Sequence, residues 1–163
     1  MTNEEKELLL KDLFARMPYG VIVQILPEDD MQVLYGARLN GGKWLFNDAY
    51  YLEEIKPCLR PVNTMTEKEL FEAAKYMLNT DNVVYTVGQL GSGFYKKMES
   101  GNMLRFDETM FKLGCSGTKN TDWLIANHFD FRGLIRNGLA TAVKADIYKK
   151  DSDDSVTFCM CGH

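Results

Sequence analysis

The chain opens on a helical pattern. Leu9, Leu10, Leu13, Phe14 and Met17 recur at three- and four-residue spacing, which places them on one face. Thr2 with Glu5 three residues on is a capping-box signature, and Pro18 pushes the residue before it out of helical geometry. These signals predict a helix over 3–17. The period then shortens to two. The stretch from Gly20 to Leu26 is rich in Val and Ile, Pro27-Glu28-Asp29-Asp30 reads as a turn, and Met31, Val33, Tyr35, Ala37 and Leu39 alternate with Gln32, Gly36 and Arg38. Asn40-Gly41-Gly42 supplies the positive backbone angles of a tight hairpin into a strand from Lys43 to Phe46. The expectation is a three-stranded antiparallel meander with the first helix covering one face.

Tyr50 to Ile55 is ambiguous, and Pro57 and Pro61 predict irregular chain beyond it. Thr66 and Glu69 cap a second helix over 66–79, whose apolar face is Leu70, Phe71, Ala74, Met77 and Leu78. Val83 to Val87 reads as a strand. Six glycines between Gly88 and Gly117 obscure the pattern, with short strands expected near Phe94 to Met98 and Met103 to Phe106. Thr121 to His128 and Arg132 to Asn137 read as short helices, the second closed by Gly138. Ala140 to Tyr148 and Val156 to Met160 are expected to form a terminal hairpin. The fold class is therefore α+β: one domain over 1–163, an antiparallel sheet packed against two amphipathic helices, with short C-terminal helices.

Composition narrows the classes. Of 163 residues 45 % are hydrophobic, too many for a disordered chain, and no run approaches the roughly 20 apolar residues of a membrane-spanning helix. Met1 to Glu7 is acidic and polar, unlike a secretory leader, so Cys58, Cys115, Cys159 and Cys161 are expected as reduced thiols in a cytoplasmic protein. The net charge of −4 argues against a broad grip on nucleic acid.

Candidate chemistry is scattered. Gly88-Gln89-Leu90-Gly91-Ser92-Gly93 resembles a phosphate loop in its glycines, but Phe94 and Tyr95 stand where Lys and Ser or Thr are required, which favours a β connection. Cys159, Cys161 and His163 gather two sulfurs and an imidazole near one another and are the candidate metal ligands, although a zinc site needs a fourth. His128 with Cys115 or Ser116 is the conceivable nucleophile pair; its place between Ile125 and Phe131 predicts instead a partly buried histidine at a helix end. Lys119, Arg132, Arg136 and Lys144, interleaved with Trp123, Phe129 and Phe131, are the candidate nucleic-acid contacts. Trp44, Tyr50 and Tyr51 are the candidate interaction surface, since aromatic side chains are enriched at protein interfaces.

Three stretches carry a resemblance: Glu7-Leu8-Leu9-Leu10-Lys11-Asp12-Leu13 into Pro18-Tyr19-Gly20-Val21; Glu54-Ile55-Lys56-Pro57-Cys58-Leu59-Arg60-Pro61 to Met65-Thr66-Glu67; and Asp122-Trp123-Leu124 with His128-Phe129-Asp130-Phe131-Arg132-Gly133-Leu134-Ile135. Together they resemble small uncharacterised proteins of phages and mobile elements of gut bacteria. The resemblance implies an intracellular protein of phage or prophage origin and no catalytic residue. The sequence thus leads to a non-enzymatic accessory protein, without cofactor, that binds a host or phage protein or a second copy of itself. Nucleic-acid binding through the basic segment, or hydrolysis using a metal or His128, are the alternatives.

Overall fold

The computed structural model describes residues 1–148 except 89, 90, 98, 101, 102 and 116. Helix α1 (Asn3–Arg16) begins in a complete capping box: Thr2 Oγ1 accepts the Glu5 N–H at 3.2 Å and the Glu5 carboxylate accepts the Thr2 N–H at 2.6 Å. A single 3-10 turn holding Pro18 follows, and Gly20, at φ +69°, reverses the chain. Strands β1 (Ile22–Ile25) and β2 (Asp30–Val33) form a hairpin, with Ile22 opposite Val33 and Gln24 opposite Met31. Strands β3 (Ala37–Asn40) and β4 (Lys43–Phe46) form a second hairpin through Gly41 and Gly42, and β5 (Tyr50–Tyr51) adds to β4.

The run expected as one middle strand therefore serves two sheets. It breaks at 34–36, and Asn47 holds the break: its Nδ2 donates to the Val33 carbonyl at 2.9 Å and its Oδ1 accepts the Tyr35 N–H at 3.0 Å. The structure also shows which side faces the helix, a point the alternation leaves open. Cross-strand partners share a face, so Ile22, Gln24, Met31 and Val33 project away from α1, whereas Val21, Val23, Ile25 and Leu34 pack with Leu9 and Leu13 of α1. Three apolar residues of β1 and its approach outweigh the alternation of β2, and the register fixed by the hairpin carries β2 with them.

Strand β6 (Ile55–Pro61) runs through the stretch expected to be irregular. Pro57 stands opposite Val23. The Leu26 N–H bonds the Glu54 carbonyl, and because ladder positions alternate, Pro57 falls where no bond is exchanged with β1 and its missing N–H costs nothing. Helix α2 (Glu67–Leu78) repeats the capping box with Thr66 and Glu69 and ends on Asn79 in the left-handed region. Strands β7 (Val83–Gly88), β8 (Gly91–Lys97) and β9 (Met103–Arg105) form a third antiparallel sheet. Two short helices, α3 (Glu108–Lys112) and α4 (Thr118–Ala126), precede β10 (Phe129–Asp130) and β11 (Thr141–Ala142), which both pair with β6 in parallel.

The Leu59 carbonyl accepts the Val143 N–H and the Arg60 N–H donates to the His128 carbonyl; successive residues point to opposite edges, so β6 is bonded on both. Residues 132–137, expected as a helix, are a string of turns pinned by Asp130, whose carboxylate accepts the Leu134 and Ile135 N–H groups at 2.9 and 2.8 Å. Of the expected terminal hairpin, only β11 and a 3-10 turn at 145–148 are described; Val156 to Met160 lies outside the described residues.

The chain is thus α+β, with mostly antiparallel strands packed by helices. A second core gathers Leu70, Ala74, Phe94, Phe106, Phe111, Leu124 and Phe129 from α2, the third sheet, α3, α4 and β10, and a smaller one sets Leu59 against Leu134 and Leu139. No helix among the described residues is long and apolar enough to cross a membrane.

Candidate functional site

The face of β1 and β2 opposite α1 carries two features that meet at Val33. One is an apolar strip. Met31, Val33 and Tyr35 are 47 %, 52 % and 74 % exposed, and Leu39 and Tyr19 are exposed as well. The other is a cavity of about 710 Å³ lined by Tyr19, Ile22, Val33, Arg60, His128 and Tyr148, among others.

His128 forms one wall. Helix α4 ends at Asn127, and His128 follows at φ +59°, a left-handed backbone that a glycine or asparagine normally supplies. Neighbours hold it there. Its N–H donates to the Ile125 carbonyl at 3.0 Å, its carbonyl accepts the Arg60 N–H at 2.9 Å, and its ring stacks on Tyr148 with centroids 3.8 Å apart and planes 11° from parallel. The Tyr148 hydroxyl accepts the Ile22 N–H at 3.3 Å and donates to the Cys58 carbonyl, bridging β1 to β6 where their ladder ends. Burial first, and then the positive charge of Arg16, pull the His128 imidazole down to about 4, with the Tyr19 backbone acting the other way. The ring is neutral at pH 7, and its Nδ1 has no hydrogen-bond partner. Burial also raises the Tyr148 phenol, and lifts the Cys58 thiol to about 11, so that Cys58 is no nucleophile at neutral pH.

Behind the histidine lies a buried ion cluster. Asp12 accepts from Arg16 Nε and from Arg132 Nη1, each at 2.7 Å, and Asp12 and Arg16 are fully buried. Arg16 also donates to the Phe129 carbonyl at 2.8 Å and to the Ile125 carbonyl at 3.4 Å, at the carbonyl end of α4 where positive charge is favoured. At the cavity edge Arg60 lies over the Phe129 ring at 4.2 Å and its Nη2 meets Glu69 Oε1 at 2.7 Å. Burial works to raise the Glu69 carboxyl, but the Thr66 N–H and Arg60 together hold it below its ordinary value.

The structure disperses the residues singled out in the sequence. Trp44 is half-buried, edge-on to Phe14 at 4.7 Å, and the Tyr50 hydroxyl accepts from Gln32 at 3.0 Å; Tyr51 is exposed beside Lys43. Arg132 is committed to Asp12, Lys119 lies over the Tyr76 ring at 5.0 Å, and Arg136 and Lys144 are exposed. Cys115 is exposed, whereas Ser116, Cys159, Cys161 and His163 lie outside the described residues. The glycine run joins β7 to β8, with Gly88 opposite Gly91. Among the described residues, no group of three or more His, Cys, Asp or Glu side chains is placed to hold a metal ion.

Sequence reasoning missed Asp12, Arg16, Arg60 and Glu69. The one available signal was the four-residue spacing of Asp12 and Arg16, which fits an ion pair on a helix. Comparison with models of known families, with curated proteins and with solved structures found no match in any of the three.

Proposed function

We propose that the protein works by binding another protein, through the apolar strip of Met31, Val33 and Tyr35, as an accessory factor of the phage or mobile-element kind that its sequence resembles. The observation that supports this is the strip itself: Met31 and Val33 on the uncovered face of β2, with exposed Tyr35 just past its end, where soluble chains usually avoid large apolar patches. Arg132 already spends its charge on Asp12, which weakens the nucleic-acid reading at one of its four residues. The test is affinity capture from the native host, comparing the native chain with Val33→Lys and Tyr35→Glu. These exposed positions tolerate charge with stability changes within about 0.5 kcal/mol. A specific protein partner retained by the native chain and lost from both variants is the expected result. Identical recovery with all three proteins, or recovery of nucleic acid alone, overturns the reading.

A further inference from the structure

We propose that the cavity between β1, β6 and the turn at 145–148 binds a small molecule with an apolar body and a single carboxylate, which Arg60 receives. The volume, about 710 Å³, lies within the range of ligand pockets. Its walls supply the apolar half of the recognition: Tyr19, Ile22, Val33, Ile147 and Tyr148. Arg60 supplies the polar half. Its guanidinium is fixed from two directions, by the Phe129 ring beneath it and by Glu69 at Nη2, so little freedom is lost when it meets a ligand.

The group also keeps unused capacity, because its buried Nε has no hydrogen-bond partner. Glu69 takes Nη2 with one oxygen, while its other oxygen accepts from Thr66 N and Oγ1 at 2.9 and 3.0 Å, so it leaves Nε for an incoming anion. Planar guanidinium and planar carboxylate match in geometry, which a neutral ligand of the same shape cannot use. The cavity shares one wall residue, Val33, with the strip proposed for protein docking, but neither reading depends on the other.

The test titrates the full chain with benzoate and, as a neutral probe with the same ring, benzyl alcohol, by calorimetry and by amide NMR shifts. Benzoate is expected to bind at about 1 mM or tighter and at least about tenfold more tightly than the alcohol, with shifts centred on His128 and Tyr148. Arg60→Met keeps apolar contact with Phe129 and is expected to erase that preference. Ile147→Trp fills the cavity without touching the ion pair and is expected to abolish binding of both probes, so the outcome does not hang on the folding of the Arg60 variant. Equal affinity for the two probes, absence of saturable benzoate binding, or benzoate binding that survives Ile147→Trp overturns the proposal.

Discussion

His128 makes folding stability depend on pH over a window that opens well above the ordinary carboxylate range. In the unfolded chain its imidazole titrates near the ordinary 6.5, and in the folded protein near 4. Between those values the unfolded state holds a proton that the folded state refuses, so stability rises with pH and is lost as the pH falls below 6.5. Integrating that difference, about 2 kcal/mol disappears between pH 7.5 and pH 5, and about 3 kcal/mol by the time the folded group itself protonates. The depressed carboxyls Glu53 and Glu69 behave in the same direction but act below their ordinary value of 4.5. The assay is urea unfolding at half-unit pH steps from 7.5 to 5. The control is His128→Asn, because asparagine accepts a left-handed backbone and does not titrate. It loses the Tyr148 stack and starts less stable, yet its stability is expected to stay nearly flat over the window; His163 is common to both chains. Parallel pH profiles for the native and variant proteins would refute the assignment.

Two further outcomes follow from the buried polar groups. Asp12→Ala leaves the Arg16 charge buried without its carboxylate and should cost about 3–5 kcal/mol, whereas Lys6→Met at the exposed pair with Glu53 should cost under about 1 kcal/mol; chemical unfolding of the two variants measures the contrast, and similar losses would contradict it. Asn47→Ala removes both bonds that hold the break between β2 and β3, with an expected loss of about 1–3 kcal/mol measured by chemical unfolding; native stability in the variant would show that Asn47 does not hold it.

Local signals were legible in the sequence and distant ones were not. Both capping boxes and the Asn40-Gly41-Gly42 hairpin involve residues within a few positions of each other, and each forms as its spacing implies. The alternation of Met31, Val33 and Tyr35 was visible, but a period of two marks a face without saying which side is covered. That was decided by α1 packing on Val21, Val23 and Ile25. Pro57 and Pro61 argue against a strand in general, and only the position of each proline in its ladder shows that β6 can hold them. The cavity was hidden for a plainer reason. Arg132 meets Asp12 across 120 positions, and the Ile22 N–H meets Tyr148 across 126, separations over which a single sequence carries no contact information.

The two-sided bonding of β6 also bears on how the chain is made. At 5–20 residues per second, a ribosome needs on the order of ten seconds to travel from Pro61 to Val143. Through that interval the N-terminal hairpins and α1 have emerged, while the second edge of β6 waits for β11. The nascent polypeptide therefore presents Cys58 and Leu59, both buried in the finished protein, on an open seam until late in translation.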